Sequence, residues 1–167
     1  MRNGLPVLAI VGHGRAGKDT AAEWLRDHTH LKFKGGCSYT GCDYVAKKLG
    51  LSWHEAWRTR HERRMDWYRI LNEYRESDPS RLIRDCLEHS DVVCGVRDRM
   101  ELTAAKKEGL LDLVVWIDRP VPIDPTVTFT IEDADVIIRN YTGFDDFYSR
   151  LKRFSKVMGI LREGEKK

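Results

Sequence analysis

Short unbroken apolar runs alternate along the chain with longer segments in which apolar residues recur at helical spacing. Pro6-Val7-Leu8-Ala9-Ile10-Val11 is the first run and predicts a buried strand over residues 7–11. A helix follows over 18–29, around Ala21, Ala22 and Leu25. Residues 31–34 suit a short second strand, 35–41 a flexible loop rich in Gly and hydroxyls, and 43–49 a short helix stopped by Gly50. Ser52 and Glu55 form a capping box that opens a helix predicted to reach about residue 75. Asp78 and Pro79 suit the N-cap and first position of another helix, in which Leu82, Ile83, Cys86 and Leu87 share a face.

The next strand is expected over residues 91–96, followed by a second capping box, Asp98 with Glu101, and a helix ending near Gly109. Leu113-Val114-Val115-Trp116-Ile117 has no polar alternation, as expected of a strand covered on both faces. Pro120, Pro122 and Pro125 make 119–132 a loop; 135–139 holds the last strand and 145–158 the last helix, and the charged tail 162–167 is expected to fray. Strands alternating with helices imply an α/β fold with a parallel sheet flanked by helices. Ligands of such sheets bind at the carboxyl ends of the strands. Residues 12–20, 97–101, 118–119 and 140–143 form that rim.

Between the first strand and its helix lies Gly12-His13-Gly14-Arg15-Ala16-Gly17-Lys18-Asp19-Thr20. Strand, Gly-rich turn, Lys and helix, in that order, make the P-loop arrangement for binding phosphate. Its glycines let N–H groups converge on phosphate oxygens, the helix start adds positive potential, and Lys18 would reach the β- and γ-phosphates. The strict pattern has Ser or Thr directly after the Lys; here Asp19 intervenes and the hydroxyl follows at Thr20. Asp19 is read either as a Mg²⁺ ligand, direct or through water, or as a first-turn carboxylate favoured by the helix dipole. Arg15 is a candidate for stabilising transferred charge. His13 reads as a loop residue rather than a catalyst.

The 167 residues suit one domain, and 41% hydrophobic residues are enough for a core. A net charge of +3 does not demand a nucleic-acid partner, although Arg58, Arg60, Arg63 and Arg64 cluster. No apolar run approaches a membrane span, and Met1-Arg2-Asn3-Gly4 leads straight into the first strand, so neither a membrane partner nor a signal peptide is expected. Cys37, Cys42, Cys86 and Cys94 lack the paired spacing of a zinc site, and a reduced intracellular compartment is the simplest expectation.

Trp53, Trp57, Arg60, Arg64, Trp67, Leu71 and Tyr74 fall on one face of the helix expected from residue 53. Arginines pair bidentately with phosphate, and aromatic rings stack on bases, so Trp57, Arg60, Arg64 and Trp67 are read as a site for a second, phosphorylated substrate. The alternative is a packing stripe whose arginines snorkel. Arg58 and Arg63 lie off that face and read as solvated. Arg97 and Arg99 follow a central strand, where phosphoryl transfer needs positive charge. Glu101 has an ordinary role as a cap residue, and a contact to substrate or Mg²⁺ stands beside it. Arg119 opens the Pro-rich loop, either as a short lid over nucleotide or as a solvated arginine.

The chain resembles the deoxynucleoside monophosphate kinases of tailed phages, within the P-loop kinases. The resemblance rests on the Gly12–Thr20 segment with its Lys18-Asp19-Thr20, and on Ala56-Trp57-Arg58-Thr59-Arg60-His61 with Arg64-Met65-Asp66-Trp67-Tyr68. It also rests on Gly95-Val96-Arg97-Asp98-Arg99-Met100-Glu101 and Val114-Val115-Trp116-Ile117-Asp118-Arg119. It implies one P-loop kinase-like domain over residues 1–167, with a helical acceptor-binding insertion at about 37–89. It implies transfer of the γ-phosphoryl group of ATP to a deoxynucleoside monophosphate, with Mg²⁺, for DNA precursor synthesis. Lys18, Arg15, Arg97 and Arg119 are then the catalytic candidates, and Gly12, His13, Gly14, Arg15, Ala16, Gly17, Lys18, Asp19 and Thr20 bind ATP. Trp57, Arg60, Arg64, Trp67, Arg97, Arg99 and Glu101 bind the acceptor, and Asp19 the metal.

The expected partners are small-molecule nucleotides, with no stable nucleic-acid complex and a homodimer left open. The expected compartment is the cytoplasm, that of the host for a phage-encoded chain. The departure from pattern is the lack of a long lid carrying several arginines. Two other readings stand beside this one: a P-loop kinase for another small molecule, such as a coenzyme precursor, and a non-enzymatic protein using the basic segment 58–64 on nucleic acid. A GTPase switch is disfavoured by the absence of an Asn-Lys-x-Asp guanine motif.

Overall fold

A computed structural model describes residues 1–162 and Gly164. The strands are β1 (Leu8–Val11), β2 (Val92–Cys94), β3 (Leu113–Asp118) and β4 (Val136–Arg139). They form a single parallel sheet in the order β2-β1-β3-β4. The helices are α1 (Lys18–His28), α2 (Cys37–Leu49), α3 (Trp53–Arg58), α4 (Arg64–Tyr74), α5 (Arg81–Leu87), α6 (Arg99–Lys107) and α7 (Phe144–Val157), with a short 3₁₀ turn at Ile131–Asp133. The parallel α/β sheet flanked by helices is therefore as expected.

The unbroken apolar strands are explained by burial on two faces. Successive side chains of a strand point to opposite sides, so Leu8 and Ile10 enter one core with Val115, Ile117, α1 and α7. Ala9 and Val11 enter the other, with Val114, Trp116 and the buried residues of α2, α4, α5 and α6. The chain leaves β1 toward β2 and leaves β3 toward β4, so a crevice opens between the carboxyl ends of β1 and β3. No helix among the described residues is long and apolar enough to cross a membrane.

Several boundaries differ from expectation, for physical reasons. Residues 31–34 are not a strand. They are held to the two residues before β2 by the Asp91 N–H on the Lys32 carbonyl (2.8 Å), the Lys32 N–H on the Asp91 carboxylate (2.9 Å) and the Lys34 N–H on the Ser90 hydroxyl (3.0 Å). The expected flexible loop at 35–41 is short, because α2 begins at Cys37. Gly41 allows close packing rather than flexibility: a Cβ there would meet Leu71 Cδ2 of α4 at 2.5 Å.

The long helix expected from 53 to 75 is broken into α3 and α4. Residues 58–66 include none that is buried, so little core packing holds a continuous helix through them. The Thr59 hydroxyl donates to the Glu55 carbonyl (2.7 Å) where α3 ends. The arginines crowded at 58, 60, 63 and 64 also repel one another. The helix expected to start at Pro79 starts at Arg81, with Ser80 as N-cap. The tail expected to fray falls mostly outside the described residues. Arg162 is tied down, its N–H on the His28 carbonyl (3.1 Å) and its guanidinium on the Arg26 and Asp27 carbonyls.

Candidate functional site

The loop from β1 to α1 is shaped by backbone that only certain residues tolerate. Gly12 (φ +143°) presses against β3: a Cβ would lie 2.7 Å from the Ile117 carbonyl oxygen. Gly17 (φ +101°) is the N-cap of α1, and a Cβ there would lie 2.7 Å from Asn140 Nδ2, which donates to the Ala16 carbonyl (2.9 Å). Arg15 is also left-handed, at φ +65°, a strained conformation for a residue with a Cβ. Unlike α3 and α6, which carry full capping boxes, α1 has no side-chain cap. Its first-turn N–H groups therefore lack the usual internal partner.

Lys18 is the first residue of α1, and its ammonium donates to the His13 carbonyl (2.7 Å). Burial, aided by the charge of Arg97, lowers its pKa from the ordinary lysine value. Asp19 is exposed, and Oδ1 accepts from the Cys94 thiol (3.2 Å). Burial beside that carboxylate pushes the Cys94 pKa well up, so the thiol keeps the proton it donates.

Across from this loop, side chains from distant segments converge on one carboxylate. Asp124 lies within the segment expected to be a plain loop, and its side chain is only 4% exposed. Oδ2 accepts from Arg64 (2.5 Å) and Arg97 (3.0 Å), and Oδ1 accepts from the Thr126 N–H (3.1 Å) and hydroxyl (2.6 Å). The Thr126 hydroxyl also accepts from Arg97 (2.5 Å). The Asp124 N–H donates to His13 Nδ1 (3.3 Å), which ties this hub to the β1–α1 loop. Burial alone would raise the Asp124 pKa, but the Thr126 hydrogen bonds and the Arg97 and Arg64 charges outweigh it and hold the carboxylate ionised well below its ordinary range.

A cleft of about 840 Å³ opens beside this junction. Gly14, Arg15, Lys18 and Asp19 line one wall; Trp57, Arg60, Arg64, Trp67 and Arg97 line the other. Although α3 and α4 are separate, the turn between them keeps a helix-like bond from the Arg63 N–H to the Thr59 carbonyl (3.0 Å), and these side chains still line one cleft. The Arg60 guanidinium lies 4.0 Å over the Trp57 ring and donates to the Trp57 carbonyl (2.7 Å). Tyr39 meets Trp53 and Trp57 edge-on, extending the aromatic wall. The Trp67 indole N–H is buried with no partner among the described residues.

Other expected site residues lie apart from the cleft lining. Arg99 faces outward in an ion pair with Asp133 (2.7 Å). Glu101 is 1% exposed, pairs with Arg75 (2.6 Å), and accepts from the Arg97 and Asp98 N–H groups. Its place is structural: it fixes the start of α6 and the backbone of Arg97. Burial raises its pKa against the pull of Arg75. Arg119 is exposed and donates to the Arg15 carbonyl (3.3 Å). Of the expected stripe, Trp53 packs on Trp57, and the Tyr74 hydroxyl donates to Asp85 (2.6 Å).

Sequence reasoning missed Asp124, Thr126, Tyr39 and Arg75. The Asp-Pro-Thr at 124–126 did carry a signal, since Asp two residues before a hydroxyl residue favours a side-chain-to-backbone turn. Its pairing with Arg64 and Arg97 is long-range and left no local trace.

No described group of three or more His, Cys, Asp or Glu side chains forms a metal cage. Mg²⁺ does not need one, since it commonly takes one or two carboxylates together with substrate phosphates and water. The exposed Asp19 carboxylate beside Lys18 fits that pattern. No protein-family model matches the chain, and no curated protein matches it significantly in sequence.

Proposed function

We propose that the chain is a P-loop nucleoside monophosphate kinase that transfers the γ-phosphoryl group of ATP to a deoxynucleoside monophosphate. The observation that carries this reading is one cleft with Lys18 and the β1–α1 loop on one wall and Arg64, Arg97, Arg60 and Trp57 on the other. Phosphate needs convergent cations, and a nucleotide base favours an aromatic wall.

In this mechanism the loop amides and Lys18 bind the β- and γ-phosphates of ATP. Asp19 is the carboxylate that would hold Mg²⁺, which neutralises phosphate charge when bound. Arg64 and Arg97 bind the acceptor phosphate and Trp57 borders its base. An acceptor phosphate oxygen attacks the γ-phosphorus, the bond to the β–γ bridging oxygen breaks, and ADP leaves with that electron pair. Lys18, Arg97 and the exposed Arg15 offset charge on the moving group. No side chain needs to take a proton, because an ionised phosphate oxygen is the nucleophile.

The test is ADP release from ATP and Mg²⁺ with each of the four deoxynucleoside monophosphates. The reading expects at least one acceptor to be turned over and Lys18→Ala to abolish turnover. No turnover with any of them, together with steeply salt-dependent binding to DNA or RNA, would replace it with the nucleic-acid reading.

A further inference from the structure

We propose that Asp124 is a positioning residue that fixes the Arg64 and Arg97 guanidiniums against the Lys18 loop. The inference rests on the kinase reading above and concerns the distance between its two half-sites. A continuous chain of contacts links the two groups of cations. Lys18 donates to the His13 carbonyl, the Asp124 N–H donates to His13 Nδ1, and Asp124 Oδ2 accepts from both arginines. Lys18 and the two arginines are thus referred to one residue, His13, by way of Asp124.

The two carboxylate oxygens divide the work. Oδ1 is occupied by Thr126 and anchors the side chain to its own loop. Oδ2 is left for the guanidiniums, and a Cβ on Gly14 would come within 3.1 Å of it, so the loop crown lies directly against this oxygen. Arg64 is half exposed and Arg97 a third exposed while bonded to Asp124. Each guanidinium has five N–H donors in a fixed fork, so several remain for a phosphate in the cleft. Arginine side chains lose substantial rotamer entropy when fixed. Holding them before substrate arrives removes that cost from the binding and transfer steps.

Neutralising one positive charge weakens attraction for the acceptor. The device is useful only where geometry matters more than charge, as in an in-line transfer between two bound phosphates. That gives the test its sign. Asp124→Asn retains an oxygen for Thr126 but turns N–H groups toward the arginines, releasing them. The expected result is a folded variant whose acceptor kcat falls about 100-fold, as for an ångström-scale misplacement, with a raised acceptor KM and an unchanged Kd for ATP.

A lowered acceptor KM would overturn the proposal, because it would mean that Asp124 competes with phosphate for the arginines. Unchanged kinetics with a lowered Tm would also overturn it, leaving a structural role only. Should Asp124→Asn not fold, Thr126→Val removes the hydroxyl shared by Arg97 and Asp124 and must lower kcat about 10-fold; an unchanged kcat would reject positioning. Absence of transfer to any monophosphate by the wild type would remove the kinase reading itself, whereas normal wild-type transfer with an unaffected variant removes only the role of Asp124.

Discussion

The Lys18 wall of the cleft is made by one continuous stretch of backbone, and the Arg64–Arg97 wall by side chains from segments far apart in the chain. On the first wall the shape comes from Gly12, Arg15 and Gly17 in left-handed conformations and from an uncapped helix start. On the second it comes from α3, α4, the segment after β2 and the loop after β3, the last three drawn together by ion pairs to Asp124. A backbone-built wall loses function through a few residues in one short segment. A side-chain-built wall spreads its sensitivity over residues that sequence distance keeps apart. In the proposed kinase the two walls hold different substrates, so they should fail in different ways.

The largest effect is expected on the backbone wall. Lys18→Ala should take turnover below detection, a loss beyond the roughly 100- to 1,000-fold cost of removing one preorganised charge-stabilising donor, with the circular dichroism spectrum unchanged. Turnover near wild type would show that the loop is only a connection between β1 and α1.

Next are the arginines of the opposite wall. Arg97→Ala and Arg64→Ala each remove a charge-assisted contact of about 1.5–3 kcal/mol, or a roughly 10- to 150-fold loss in acceptor kcat/KM. The Kd for ATP should not change. Equal loss of ATP binding would merge the two walls into one site. Arg99→Ala is the matched control: Arg99 sits two residues from Arg97 but pairs with Asp133 away from the cleft, so acceptor kcat/KM should stay at the wild-type value.

A smaller effect is expected from pH. Lys18 must be protonated to attract phosphate, and its pKa in the folded protein is lowered by burial. The proton therefore leaves at a lower pH than from a solvated lysine, and the Kd for ATP should rise on the alkaline side before ordinary lysines titrate at about 10.4. Lys18→Arg, which stays charged above pH 12, should flatten that rise in isothermal titration between pH 7 and 10. The same alkaline rise in the variant would assign the titration to another group.

The same contrast governs what could be read before the structure. The Lys18 wall was legible because its elements are consecutive: an apolar run, spaced glycines, a lysine and a helical segment. The two capping boxes, Ser52 with Glu55 and Asp98 with Glu101, were legible for the same local reason and are formed. The opposite wall was legible only in part. The spacing of Trp57, Arg60, Arg64, Trp67 and Leu71 identified residues that line the cleft, yet for a geometry, one straight helix, that the chain does not adopt. Helical spacing records which residues share a side, and the turn at 59–63 preserves that side while breaking the helix. The ion pairs of Asp124 were illegible because the two arginines lie 27 and 60 residues away. Glu101 was ambiguous because a capping carboxylate and a ligand carboxylate look alike until Arg75 is seen beside it.

The most direct test of one cleft serving two phosphorylated substrates is the fate of the γ-phosphoryl group. ATP labelled at the γ-phosphorus is incubated with Mg²⁺ and each deoxynucleoside monophosphate, and products of the wild type, Lys18→Ala and Arg97→Ala are separated. The account predicts label in a deoxynucleoside diphosphate for the wild type, none for Lys18→Ala, and a reduced amount for Arg97→Ala that rises with acceptor concentration. Label released only as inorganic phosphate, or no label leaving ATP with any acceptor, would contradict it.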